Sequence, residues 1–137
     1  MNYRTLLLSL FTLASAGPAL AEDNGQTLFE THCSACHAMS GKPTVAPPVF
    51  AVVNHVKDAY PEKDQFIETI VNWVANPQED TALMRGAIRK FGLMPPLNID
   101  PIKVKLIAQY LYDGNIELPE WYIEHYKAEH GHEPKQQ

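Results

Sequence analysis

Residues 32–37 read HCSACH, and Cys33 and Cys36 are the only cysteines of the 137-residue chain. Two thiols and the imidazole of His37 fall within one turn of backbone, so they act on the same object. No third cysteine is present to pair with either sulfur. Whatever this chain folds into must occupy both sulfurs at that turn.

The compartment sharpens this demand. The opening residues MNYRTLLLSLFTLASAGPALA carry Arg4, an apolar run from Leu6 to Ala16, a helix-breaking Gly17-Pro18, and the small residues Ala19 and Ala21 around Leu20. That order is the pattern of a secretory signal peptide with an A-x-A cleavage site. An apolar run of about a dozen residues without a stop-transfer pattern is too short to span a bilayer. Residues 1–21 are therefore read as a signal peptide, with the mature chain starting at Glu22 and no transmembrane segment in it. No cysteine stands at the cleavage site to take a lipid anchor. The expected location is the periplasm, where free thiol pairs tend to oxidise. Removal of residues 1–21 leaves 116, enough for one small domain with a limited core of its own.

Three chemistries use the C-x-x-C spacing. A thioredoxin-like redox pair needs a strand-helix-strand pattern around it, and no run of alternating β-branched residues precedes Cys33. A zinc site needs four ligands, typically with a second pair at short spacing. His125 and His130 are candidates, but far downstream. The third chemistry is c-type haem attachment, whose signature is C-x-x-C-H. The two thiols add to two vinyl groups of one porphyrin and the adjoining imidazole reaches the iron, so one turn supplies all three. The export signal, the lack of other cysteines and a downstream methionine favour this reading.

The rest of the chain reads as helices joined by proline-rich loops. Asp23 or Asn24 can cap a first helix leading into the cysteine turn, and Gly25 would let another helix cross it closely. Gly41, Pro43, Pro47 and Pro48 in AMSGKPTVAPPVFAVV predict a loop on the His37 side. Pro61 starts a helix bearing Phe66, Ile67, Ile70, Val71, Trp73 and Val74 at helical intervals, and Pro77 stops it. A third helix is expected over residues 79–91, with Leu83, Met84, Ala87, Ile88 and Phe91 on its apolar face and Gly92 as its stop. The loop GLMPPLNID follows, carrying Met94. A fourth helix spans residues 100–113, capped by Asp100 with Pro101 first, and presents Val104, Ile107, Ala108 and Leu111. The tail LPEWYIEHYKAEHGHEPKQQ suggests a short helix packed back through Trp121, Tyr122 and Tyr126, then a disordered HGHEPKQQ.

With these segments in place, CSACH near the mature N-terminus, FGLMPPL downstream and KLIAQYLYDG as a closing helix resemble a class I monohaem cytochrome c of the periplasmic bacterial type. The likeness runs from Asn24 to Gly114. It implies an all-α fold of about four short helices and loops wrapped around one covalently attached haem c. The organisation it implies is a signal peptide at 1–21, a cytochrome c domain at 22–118 and a C-terminal extension at 119–137. It further implies that Gly25 and Phe29 meet Ile107, Tyr110 and Leu111 where the terminal helices cross, and that the Pro47 carbonyl accepts a hydrogen bond from His37. A methionine loop would close the face opposite His37.

Under that resemblance Cys33 and Cys36 attach the haem, and His37 and a methionine ligate iron. Met39 is too near His37 to reach the opposite face, and Met84 falls on a predicted apolar stripe, where methionine usually fills core. Met94, in a loop stiffened by Pro95 and Pro96, is the expected axial ligand. Pro47 and Trp73 are read as haem-pocket contacts. Trp73 suits either a donor to a haem propionate or a core position. His32, His55, His125, His130 and His132 are read as solvent-exposed.

Two bound axial ligands leave no open position for a substrate, so the expected function is one-electron transfer between periplasmic or membrane-bound redox partners, without enzymatic activity. The alternative is a haem sensor or carrier whose methionine yields to a gas. Without Arg4 the chain has 10 basic residues against 16 acidic ones, a net −6, which argues against binding nucleic acid or an anionic membrane surface. The charge is uneven. Residues 81–105 hold Arg85, Arg89, Lys90, Lys103 and Lys105 against Asp100 alone, a local +4. The expected partners are redox proteins, met by a monomer.

Overall fold

The computed structural model of the chain describes residues 24–41 and 45–135; the signal-peptide reading of residues 1–21 lies outside them. Among the described residues there are six helices and no strand: α1 Gly25–His32, α2 Val49–Ala59, α3 Lys63–Ala75, α4 Arg85–Phe91, α5 Pro101–Asp113 and α6 Glu120–His130. The chain is all-α, as its periodicity predicts.

Local chemistry sets several helix ends. Asn24 caps α1, its side-chain oxygen accepting from the Thr27 amide at 2.9 Å; Asp23, the other candidate cap, lies outside the described residues. Asp100 caps α5 through the Ile102 amide at 2.8 Å, with Pro101 as the first helical residue. Pro77 follows Asn76, the C-cap of α3. Gly92 ends α4 with φ of 83°, a conformation glycine adopts without the Cβ clash other residues meet.

Two segments depart from expectation. The stretch read as loop after His37 ends in the first five residues of α2, which the prolines permit because a proline obstructs the turn before it and not the one after. Pro48 is the N-cap, and VFAVVNHVKDA behind it has neither proline nor glycine. The other departure is α4, which begins at Arg85 and not at residue 79. Local bonds hold residues 79–84 in turns: the Thr81 hydroxyl donates to the Gln78 carbonyl at 3.3 Å, and the Ala82 amide to the Glu79 carbonyl at 3.3 Å. Short polar side chains compete with helix in this way. Met84 is therefore the N-cap of α4, off its apolar stripe.

Helix α5 lies between α3 and α1. Its buried stripe is Val104, Ile107, Ala108 and Leu111. Phe66, fully buried on α3, meets the edge of Tyr112 at 5.3 Å. Outside that contact, Lys63 Nζ lies 2.6 Å from Asp113 Oδ2. The exposed ion pair contributes under about 1 kcal/mol against roughly 1.5–3 kcal/mol for each fully buried large side chain, so packing sets the α3–α5 register.

At the other crossing, a Cβ on Gly25 would lie 2.2 Å from the Leu106 carbonyl oxygen and 2.5 Å from Tyr110 Cβ. Only hydrogen fits there. The Phe29 and Tyr110 rings stand 6.3 Å apart beside it. Beyond α5, α6 covers α2: Trp121 and Tyr122 meet Phe50 edge-on at 5.9 and 5.2 Å. Where composition predicts a structureless end, the described residues continue to Lys135, with Pro134 buried and the Lys135 carbonyl accepting from Asn54 Nδ2 at 3.4 Å. A buried amide 81 positions away anchors this stretch, a partner no local pattern reveals.

Candidate haem site

The cysteine turn is an extension of α1. The Cys33 amide donates to Phe29 O at 2.8 Å, Cys36 to Cys33 O at 3.1 Å, and His37 to Cys33 O at 2.9 Å. Helical turns of this kind bring positions i, i+3 and i+4 to one face, and Cys33, Cys36 and His37 have that spacing. Both cysteines are free thiols, Cys33 half-buried and Cys36 exposed. Burial pushes the Cys33 thiol above its ordinary pKa, and neighbouring Cys36 adds to the rise.

All three side chains line one cavity of about 570 Å³, within the ~300–1,000 Å³ span of cofactor sites. Pro47, Trp73 and Met94 line the same cavity. His37 Nδ1 lies 2.8 Å from the Pro47 carbonyl. A carbonyl only accepts, so Nδ1 carries the hydrogen and Nε2 keeps its lone pair for a metal. The Val49 amide, donating to Ala38 O at 3.0 Å, ties the same two strips of chain a second time.

Across the cavity wall, the methionine loop is pinned to α3 by the Leu97 amide, 3.0 Å from the Val74 carbonyl. Met84 lines the cavity as well as Met94. Its position ahead of α4 removes the helical-stripe argument for a purely core role. Met39 is exposed and not among the lining residues.

Several lining residues have no counterpart among the predicted site residues. Val49, Val52 and Val56 form an aliphatic wall from α2, hidden when that segment is read as loop although VFAVV is a plain apolar run. Thr69 and Asn72 reach the cavity from α3 and Asn76 from its C-cap, beside Trp73; their i, i+3, i+7 spacing was visible in the sequence. His32 also lines it. His55, read as exposed, is half-buried between α2 and α6, because α6 covers it.

The residues fit a covalently tethered haem: two thiols on one turn, an imidazole with a free Nε2, a thioether, aliphatic walls, and amides and hydroxyls able to meet carboxylates. The competing readings find less. Among the described residues no group of three or more His, Cys, Asp or Glu side chains could hold a metal ion, and no strand flanks the cysteines as a thioredoxin-like pair requires. None of the described helices is long and apolar enough to cross a membrane.

An all-helical chain closing over a C-x-x-C-H turn is the architecture of a haem-tethering protein. The family model for cytochrome c matches residues 22–113, and the chain belongs to that family. The family binds haem c covalently and serves electron transfer. A protein of Aquifex aeolicus (strain VF5), described only as uncharacterized, is 31% identical over 128 aligned residues, covering 75% of this chain and 84% of the relative. No solved structure matches the chain significantly.

Proposed function

We propose that this chain is a one-electron carrier with a single haem c held by Cys33 and Cys36 and ligated by His37 and Met94, exported to the periplasm by residues 1–21. The observation that supports it most is that both thiols, the His37 imidazole and the Met94 thioether line one cavity. Haem in that cavity supplies an iron that gains and loses a single electron.

The chain's own residues do the rest. Cys33 and Cys36 would hold the haem, each S–H adding across one vinyl C=C, sulfur to one carbon and hydrogen to the other, so that no atom would be lost and the tether would be permanent. Pro47 fixes the imidazole ring of His37 and makes Nε2 the ligating nitrogen. Pro95, Pro96 and the Leu97–Val74 bond hold the Met94 loop with little freedom left to lose. A soft thioether favours the reduced metal and raises the potential. Val49, Val52, Val56, Ile107 and Leu111 exclude water. Were His37 and Met94 both to hold the iron, no site would remain for a substrate, and electron transfer would be favoured over catalysis and over gas sensing. The basic segment 81–105 is assigned the steering of an acidic redox protein, since complementary charge acts mainly on encounter rate.

The test is the intact mass of protein matured in an exporting host with haem-attachment machinery. The expected species begins at Glu22 and carries one haem, and neither Cys33→Ser nor Cys36→Ser retains both thioethers. A mature wild-type chain with a free dithiol, a disulfide or bound zinc would sink the reading.

A further inference from the structure

Helix α2 has two working faces. Val49, Val52 and Val56 line the haem cavity, while Phe50, Asn54 and Asp58, spaced four apart, meet the C-terminal extension. The extension lies outside the family match, which ends at residue 113. Phe50 is enclosed by the rings of Trp121 and Tyr122. Asn54, 1% exposed, accepts from the Tyr122 hydroxyl at 3.2 Å and donates to the Lys135 carbonyl at 3.4 Å. Asp58 accepts from the Tyr126 hydroxyl and lies 3.5 Å from Lys135 Nζ.

Polar groups at buried or half-buried positions such as these are costly to leave without a partner. Asn54 and Asp58 therefore bind α2 to residues 119–135 as one unit. The other end of α2 touches the haem turn. Pro47 and Pro48 run straight into its first residue, Pro47 O takes the His37 Nδ1 hydrogen, and the Val49 amide donates to Ala38 O. A helix moves as a rod, so what holds its outer face holds its N-terminal end.

We infer that residues 119–135 are a brace that positions His37 through α2, with Tyr122, Tyr126, Asn54 and Asp58 as positioning residues for the iron ligand. This rests on the haem reading. A strong Nδ1–H···O bond makes the imidazole a better donor, which favours the oxidised metal. Loosening α2 weakens that bond, so the reduction potential should rise.

The experiment compares the full-length holoprotein with a shortened chain and point variants, with haem content read by mass first. A chain ending at Leu118 should keep its haem, show faster hydrogen exchange at the α2 amides including Val49, and have a higher potential, shifting the oxidised-to-reduced ratio at fixed solution potential by roughly threefold or more. Should the shortened chain fail to mature, point variants decide. Tyr126→Phe and Asp58→Ala should each raise the potential, while Asp58→Asn, which keeps an oxygen for Tyr126, should stay near wild type. An unchanged or lower potential in the shortened chain, or in Tyr126→Phe and Asp58→Ala variants that carry haem, overturns the brace, even if α2 exchanges faster, because a purely structural cover would show that. Absence of haem from the wild type overturns the haem reading instead, and the mass reveals it before any potential is measured.

Discussion

Gly25→Ala tests the geometry on which the site depends, because α1 delivers the cysteine turn and α5 passes directly behind it. The new methyl would start 2.2 Å from the Leu106 carbonyl oxygen and 2.5 Å from Tyr110 Cβ. Both atoms are part of or next to α5 backbone, so no side-chain rotation relieves them. Ordinary contact begins near 3.4 Å, and the helices must separate by about 1 Å to reach it. Overpacking of this kind costs about 1–3 kcal/mol, offset by up to about 1 kcal/mol from the better helix propensity of alanine. Taking the middle of that cost, about 2 kcal/mol, less up to about 1 kcal/mol of offset, a net loss of about 1–2 kcal/mol is expected, lowering a urea midpoint by about 0.5–1 M for a slope near 2 kcal/mol/M. Gly86→Ala is the control. It also sits in a helix, yet the nearest atom to its Cβ is the far end of Arg89 at 3.8 Å, so propensity alone acts and stability should rise by about 0.5–1 kcal/mol. Urea unfolding of holoprotein followed by far-ultraviolet circular dichroism reads both. If Gly25→Ala were as stable as wild type or gained like Gly86→Ala, the close crossing would be wrong.

Met94→Ala should lower the reduction potential and speed carbon monoxide binding with the haem still attached, whereas Met84→Leu should do neither; the reverse pattern would transfer the ligand role to Met84, and rapid carbon monoxide binding by wild type would favour the sensor. Arg85→Glu with Arg89→Glu should slow electron transfer to an acidic partner about tenfold at low ionic strength and far less at high salt, and equal rates at low salt would leave the basic face with no steering role. His55 sits under α6, its Nδ1 2.8 Å from Ala51 O and its ring facing Tyr122, Tyr126 and His130, with Asp58 and Glu129 near. Burial lowers its pKa, the Ala51 carbonyl opposes that, and His130 adds to the lowering. The unfolded chain therefore takes the proton first as pH falls below about 6.5, so stability that is flat above that value should drop toward pH 5. His55→Gln should flatten the drop in melting temperature, and an unchanged slope would place the sensitive group elsewhere.

The readings that survived contact with the structure are those whose physics is local. Asn24 and Asp100 cap helices through amides two or three residues away, and Gly92 stops α4 by its own φ. The geometry of the cysteine turn is legible for the same reason, since Cys33, Cys36 and His37 are near neighbours in the chain and need nothing distant to share a face. Gly25 shows the boundary: its lack of a side chain suggests a close crossing, but only the fold says that Leu106 and Tyr110 fill the space. What was lost depended on direction or distance. Pro47 and Pro48 were read as barriers on both sides when they obstruct only the turn before them, and that hid α2 together with its aliphatic wall. Met84 was assigned to a helix that the Thr81 and Ala82 bonds prevent from starting. The partners of Asn54 and Asp58 lie 68 and 81 positions downstream, beyond any periodicity. A contiguous motif can announce which atom is bound, because attachment is made within one turn. In the proposed brace the orientation of His37 depends on Pro47, α2 and α6, and residues that far apart are joined only by folding.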